Sequence, residues 1–303
     1  MKRIAFLGPL GTVSHESAEH FFTGVDVELI PYKLISEVFQ AIEVGKADYG
    51  VIPIENTIEG SVRLHVDGLI HDNQLPMQAE WTYPSIQNLI GFAKSEVSEI
   101  SKIFSIDVAI AQCKSFFHEK LPAVEYEYVT STAQGVRLVK ESENPSFAAV
   151  GTRLAAKMYG LSILAENITD HDNNYTRFVL VGRDKLPLSE TAHYKTTIIV
   201  TLSEDFPGAL HQVLSCFAWR RINLSKIESR PTKKKLGNYY FYFDIEASMD
   251  SVLLPAAIAE IEALGCQVRI LGSYPIYPYP SRPFVSAETD PGAAKSESAN
   301  SEV

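Results

Sequence analysis

Between Ile4 and Gly182 the chain repeats one pattern: a short apolar run, a turn residue, then a segment with apolar side chains at helical spacing. Ile4-Ala5-Phe6-Leu7 stops at Gly8-Pro9, and a helix opens behind it with Thr12 or Ser14 as N-cap. Ser36 to Val44 places Val38, Phe39, Ala41 and Ile42 on one face before Gly45, and Tyr49 to Ile54 is the next strand. Further strands are predicted over Ser85 to Phe92, Ile103 to Ser105, Tyr126 to Val129 and Phe147 to Val150. Helices are predicted over Val62 to Ile70, Ala109 to Phe117, Ala133 to Glu141 and Thr152 to Tyr159. Such alternation predicts an α/β fold with largely parallel sheets. Its length, with polar clusters at separated strand ends, predicts two lobes around a cleft in residues 1–182.

Residues 183–194 lose apolar periodicity and read as a linker. A β-branched strand follows from Thr196 to Leu202, then Asp205-Phe206-Pro207-Gly208 and a helix from Ala209 to Trp219. Strands over Ile222 to Ile227 and Tyr239 to Ile245, a helix over Leu253 to Leu264 and a strand over Val268 to Leu271 complete residues 195–277. The order βαββαβ is the ferredoxin-like arrangement. Lys233-Lys234-Lys235 falls in the turn Thr232 to Asn238 and reads as a solvated turn. Residues 278–303, rich in Pro, Ser, Ala and Glu, cannot bury enough apolar surface to offset their ordering entropy and are expected to form a disordered tail.

A formal net charge of −10 argues against general nucleic-acid binding, which wants a basic face, but leaves a small acidic substrate open. Cys113, Cys216 and Cys266 lie far apart with no CxxC or Cys/His ligand spacing, so neither a disulfide framework nor a metal site is predicted. No segment reaches the roughly 18 apolar residues a membrane span needs. The chain passes from Met1-Lys2-Arg3 directly into a strand-like run, so no membrane association and a cytoplasmic location are expected.

One stretch stands out chemically. Asn173-Asn174-Tyr175-Thr176-Arg177-Phe178 leads into the apolar run Val179-Leu180-Val181, placing a hydroxyl and a guanidinium at the mouth of a buried strand, where α/β sheets hold ligands. Thr176 handling a proton while Arg177 holds an acidic group is one reading. A turn followed by an exposed arginine is the other, and these six residues alone favour it. Glu55-Asn56-Thr57 forms a second polar cluster at a strand exit, and Gln112 and Thr130-Ser131-Thr132 add further donors. Gly8-Pro9-Leu10-Gly11 at a helix start is either an anion-binding loop or a tight turn; Pro9 and Leu10 break the dinucleotide fingerprint.

Taken in order over residues 1–277, several segments make the chain resemble the prephenate dehydratase family. They are Gly8-Pro9-Leu10-Gly11-Thr12-Val13-Ser14-His15, Pro53-Ile54-Glu55-Asn56-Thr57-Ile58-Glu59-Gly60-Ser61, Ala111-Gln112-Cys113 and Asn174-Tyr175-Thr176-Arg177-Phe178. Gly208-Ala209-Leu210 and Glu228-Ser229-Arg230-Pro231 resemble the phenylalanine-binding ACT domain of these enzymes. The resemblance implies a catalytic domain like the two-lobed type II periplasmic binding proteins, with the active site between the lobes. It also implies loss of CO2 and water from prephenate in one 1,4-elimination, with aromatisation as driving force and no metal, cofactor or covalent intermediate. Thr176 would be the donor to the departing hydroxyl and Arg177 the carboxylate anchor. Asn56, Thr57, Ser105, Gln112, Ser131 and Thr132 would supply neutral hydrogen bonds, and Thr12 and Ser14 would face the substrate at the first helix. Glu55 would repel a dianion unless protonated or paired, so it reads equally as a structural residue.

By the same resemblance, Gly208, Ala209, Leu210, Glu228, Ser229, Arg230 and Pro231 would bind L-phenylalanine as a feedback inhibitor. The chain would form a homo-oligomer, dimer or tetramer, through both its ACT and catalytic domains. Two segments depart from the family pattern: Ser105-Ile106-Asp107-Val108 and Pro84-Ser85-Ile86-Gln87-Asn88 lack histidines that members often carry there. That leaves prephenate against arogenate open. A non-catalytic carboxylate sensor and a lyase that decarboxylates without expelling the hydroxyl are the competing functions.

Overall fold

The computed structural model describes residues 1–284 apart from Glu190, Ser203, Asp205 and residues 234–238. Lys234, Lys235, Asp205 and the tail beyond Phe284 therefore lie outside the described residues. Lobe one begins with β1 (Lys2–Leu7), α1 (Val13–Phe21), β2 (Val27–Tyr32), α2 (Ile35–Glu43) and β3 (Tyr49–Asn56). β2 and β3 pair with opposite sides of β1, both in parallel. The short β4 (Gly60–Ser61), α3 (Arg63–Asp67), a π turn over Gly68–Asp72 and β5 (Met77–Pro84) complete its first pass.

Lobe two follows: β6 (Asn88–Gly91), β7 (Lys102–Ser105), α4 (Asp107–Ala111), α5 (Lys114–Lys120), β8 (Glu125–Tyr128), α6 (Thr132–Ser142), β9 (Phe147–Gly151), α7 (Arg153–Tyr159) and β10 (Ser162–Ala165). The chain then returns to lobe one as β11 (Tyr175–Gly182), between β5 and β3. The two sheets repeat one design, β2-β1-β3-β11-β5 and β8-β7-β9-β6-β10. In each, a parallel triplet is extended by two antiparallel strands. The expectation of largely parallel sheets therefore holds only for the triplets. β6 and β11 enter their sheets straight from the other lobe, so each runs against the strand it joins.

Two other expectations change. The single helix over Ala109 to Phe117 is two short helices broken at Gln112-Cys113. β5 is missing from the predicted strands, although Met77, Ala79, Trp81 and Tyr83 alternate with Gln78, Glu80 and Thr82; Glu80, on the alternate face, is buried against Arg177 and Lys195.

The C-terminal unit is β12 (Tyr194–Thr201), α8 (Ala209–Ala218), β13 (Leu224–Pro231), β14 (Tyr239–Ile245), α9 (Leu253–Ala263) and β15 (Gln267–Tyr277). Its sheet order, β13-β14-β12-β15, is ferredoxin-like, and α8 and α9 pack with Ile198, Val200, Phe243 and Ile245 in one core. β15 overshoots the expected Val268 to Leu271 and pairs with β5 at Ile276 and Tyr277, making one continuous sheet with lobe one. A second core is shared outright: Ile52, Ile54, Val179 and Val181 of lobe one pack with Ile199, Tyr242, Leu271 and Tyr274. The linker and the start of the tail are also packed. Leu186 is buried, and Phe284 rests on Phe21 and Phe22, so residues up to 284, expected in the disordered tail, are packed on lobe one; the remainder of that expectation lies outside the described residues.

Candidate active site

Each parallel triplet has a switch point, where the chain leaves the middle strand in opposite directions, and α/β sheets bind ligands beyond the carboxyl ends there. In lobe one these ends are Leu7 with the following Gly8–Gly11 loop, and Asn56; in lobe two they are Ser105 and Gly151. The two switch points face each other. Thr152 Oγ1 donates to the Gly11 carbonyl at 2.7 Å, and Leu154 N–H donates to Glu16 Oε1 at 2.7 Å. Gly11 has φ of +87°, and a Cβ there would meet Ala155 and Ala133, so the loop lies against the starts of α6 and α7.

Thr176 enters this region on β11, opposite Asn56 of β3 and Tyr83 of β5. Asn56 Nδ2 donates to Thr176 Oγ1 (3.1 Å) and to Asn174 Oδ1 (2.8 Å), while Asn56 Oδ1 accepts from the backbone N–H groups of Ile58 and Glu59. Ser85 Oγ lies 2.6 Å from Thr176 Oγ1. Asn174 Nδ2 donates to Gln112 Oε1 (2.9 Å), and Gln112 Nε2 donates across the lobes to Glu59 Oε1 (3.2 Å). A hydrogen-bonded chain thus runs from the Thr176 hydroxyl to lobe two. Sequence reasoning quoted Asn174, Glu59 and Ser85 but assigned them no role, because their partners lie in other strands.

Arg177 takes the opposite side. Successive strand residues face opposite ways, and Arg177 points into the C-terminal unit, where Nη1 lies 2.7 Å from Asp244 Oδ2 and 3.4 Å from Glu80 Oε2. Its Nε lies 3.1 Å from Glu55 Oε2. Lys195 pairs with Glu80 and Lys226 with Glu55, so three cations meet three carboxylates. Arg177 Nε and Nη2 and Asp244 Oδ2 have no aligned hydrogen bond, so Arg177 is held to Asp244 chiefly by charge, while Lys195, Lys226 and Thr197 donate to Glu80, Glu55 and Asp244. Burial by itself would raise the Asp244 pKa, but Arg177, Lys195 and a hydrogen bond from Thr197 outweigh it and hold the carboxyl below its ordinary value. The expected role of Arg177 as substrate anchor does not fit: its side chain is committed to three carboxylates on the face away from Thr176. Glu55 is paired on that same face.

Other candidates divide likewise. Ser105 is fully buried and donates to the Val150 carbonyl (3.1 Å), which removes it from the cleft surface. Thr57 Oγ1 donates to Asn173 O (2.6 Å) and accepts from Tyr175 N–H (2.9 Å), stitching β3 to β11. Thr12 caps α1 and Ser131 caps α6, with Ser14 and Thr132 nearly buried in the first turns of those helices. In the C-terminal unit Gly208, at φ of +97°, opens α8 and leads into Ala209 and Leu210. β13 alternates: Lys226, Glu228 and Arg230 are half-buried, while Ile227, Ser229 and Pro231 are exposed. Glu228 accepts from Ser61 Oγ (2.6 Å), and Arg230 pairs with Asp67. Glu228 and Arg230 therefore contact lobe one through Ser61 and Asp67. Ser229 is turned the other way.

Among the described residues, no group of three or more His, Cys, Asp or Glu side chains could hold a metal ion. No helix among them is long and apolar enough to cross a membrane.

A family model for prephenate dehydratase matches residues 4–186, and one for the ACT domain matches residues 196–265. The prephenate dehydratase of Bacillus subtilis (strain 168) is 41% identical over 283 residues, covering 91% of this chain and 99% of that protein. A crystal structure of prephenate dehydratase from Arthrobacter aurescens in complex with L-Phe is similar with a TM-score of 0.82 at 34% identity, over 90% of this chain and 89% of its own. The structure of GqqA, described as a novel type of quorum quenching acylase, is similar with a TM-score of 0.80 at 26% identity, over 91% of this chain and 98% of its own.

Proposed function

The chain belongs to the prephenate dehydratase family, and from that premise we propose that it converts prephenate to phenylpyruvate, water and CO2, under feedback control by L-phenylalanine. The observation that carries the reading is the Thr176 hydroxyl, held by Asn56 and Ser85 where the two lobes meet. In this reading Thr176 donates to the departing ring hydroxyl while the electron pair of the ring–carboxylate bond enters the ring. Gln112, Asn174 and Asn56 hold the lobes around the substrate. With Arg177 engaged elsewhere, the backbone N–H groups at the starts of α1 and α6 take the side-chain carboxylate; they are brought together by the Gly11 loop.

Regulation uses both faces of β13. Ser229 and the Gly208-Ala209-Leu210 helix start would contact phenylalanine, while Lys226 and Glu228 on the same strand contact Glu55 and Ser61 beside Asn56. β13 is also the edge of its sheet, and pairing with a second copy there would build the homo-oligomer and shield the edge. In this reading the reaction runs in the cytoplasm.

The test is to incubate purified protein with prephenate and follow phenylpyruvate by its absorbance in alkali, with and without phenylalanine. Phenylpyruvate formation that phenylalanine suppresses is expected. No product at micromolar enzyme would sink the dehydratase, and turnover of arogenate alone would reassign the substrate. CO2 without phenylpyruvate would assign the decarboxylating lyase.

A further inference from the structure

A threonine hydroxyl is a weak acid, which makes it an unusual proton donor. Its oxygen carries one proton and two lone pairs. Asn56 Nδ2 can only donate: one proton goes to Asn174 Oδ1 at 2.8 Å and the other, shared with the Tyr175 carbonyl at 3.2 Å, is aimed at a lone pair of Thr176 Oγ1 at 3.1 Å. The two backbone N–H groups on Asn56 Oδ1 set the orientation of that amide. Ser85 Oγ lies 2.6 Å from the same oxygen, and either hydroxyl can be the donor. If Thr176 donates to Ser85, its only proton is used and none is left for the departing hydroxyl. If Ser85 donates, both Thr176 lone pairs are filled and its proton is free to face the substrate.

Resting on the dehydratase reading above, we propose that Ser85 is a positioning residue that donates to Thr176, so that Asn56 and Ser85 together cradle the Thr176 oxygen. During elimination the ring–carboxylate bond breaks, its electron pair enters the ring and the carbon–oxygen bond to the hydroxyl breaks. The Thr176 proton moves to the departing oxygen, yielding CO2, water and the aromatic product. Negative charge then builds on Thr176 Oγ1 until solvent returns a proton. Two donors already aimed at that oxygen stabilise charge that is absent from the ground state and develops in the transition state, as an oxyanion hole does.

The surroundings favour this arrangement. Ser85 is 5% exposed, so its hydroxyl works out of bulk water, where hydrogen bonds in series polarise one another. Its position is set by the backbone: Ser85 N–H donates to Asn174 O (2.8 Å), and Pro84 beside it pairs with Tyr175.

The experiment is a double-mutant cycle on the full chain with prephenate as substrate. Ser85→Ala should lower kcat about a hundredfold, with KM changed less than about threefold. Ser85→Thr, which keeps the hydroxyl, should recover most of the rate. In a Thr176→Ala background, adding Ser85→Ala should cost nothing further, because the oxygen it serves is gone. Thermal unfolding of each variant separates lost chemistry from lost fold; should Ser85→Ala fail to fold, Ser85→Cys carries the same test with a weaker donor. Full kcat in Ser85→Ala, a loss confined to KM, or an equal loss in the Thr176→Ala background would each overturn the role of Ser85 alone. Absence of phenylpyruvate from the unsubstituted protein would overturn the dehydratase reading, and the Ser85 proposal with it.

Discussion

Arg177 Nη1 lies 2.7 Å from Asp244 Oδ2, joining the strand that carries Thr176 to β14 of the C-terminal unit. The neighbouring residue, Thr176, faces the lobe boundary instead. One dipeptide therefore presents the proposed proton donor on one face and secures the domain junction on the other. Glu80, Lys195, Glu55 and Lys226 extend the junction to the strand exit that bears Asn56.

Removing one member of a buried balanced cluster leaves the others uncompensated. Asp244→Ala should therefore destabilise the chain by about 3–5 kcal/mol, read as a lower urea midpoint. A loss under about 1 kcal/mol would mean that the cluster behaves like a surface pair.

Lys226 connects the proposed effector strand to Glu55 and Ser61. Lys226→Met keeps the apolar stem and removes the charge. Inhibition by phenylalanine should weaken by about tenfold, while calorimetry still shows phenylalanine bound and the uninhibited rate stays within about threefold. Unchanged inhibition would route the coupling elsewhere.

His15, His20, His65 and His71 all titrate below the ordinary value of 6.5, each chiefly because burial disfavours the charged ring. Below that pH the unfolded chain binds protons that the folded chain refuses, so stability is present above 6.5 and is lost as pH falls towards the lowered folded values. Urea midpoints should drop steadily from about pH 7 to pH 5. Asp244, lowered in the fold, adds a further loss only as pH falls below the ordinary carboxylate value of 3.8. A flat profile between pH 7 and 5 would show that these rings gain compensating partners when protonated.

Gly272 lies where β15 crosses beside β5. A Cβ there would overlap the Met77 carbonyl oxygen and crowd the Met77 Cβ, and neither backbone can yield without breaking the shared sheet. Gly272→Ala should cost about 1–3 kcal/mol and weaken the docking of the C-terminal unit, seen as faster proteolysis between the two domains. Wild-type stability would show that β15 and β5 can separate at this point without loss.

Local patterns in the chain determined much of this protein. Periodicity located most helices; Thr12, Ser131 and Thr152 cap theirs, and βαββαβ order identified the C-terminal unit. These properties depend on residues a few positions apart, so they are legible one segment at a time. The role proposed for Thr176 comes from the family resemblance, since its own six-residue stretch favours a turn with an exposed arginine. The tertiary structure alone decided which way each neighbour faces and what it meets. Arg177 read as a substrate anchor because its charge was visible, but Asp244 and Glu80, which neutralise it, lie 67 and 97 residues away in sequence; Glu80 meets it when β5 pairs with β11, and Asp244 only when the C-terminal sheet docks. Ser85 had no signal of its own; its hydroxyl gains a role only where β5 is laid beside β11 and the last residues of one strand meet the first of the other. Hydrogen bonds and ion pairs act over a few ångströms, and only the packed chain brings such distant residues within that reach.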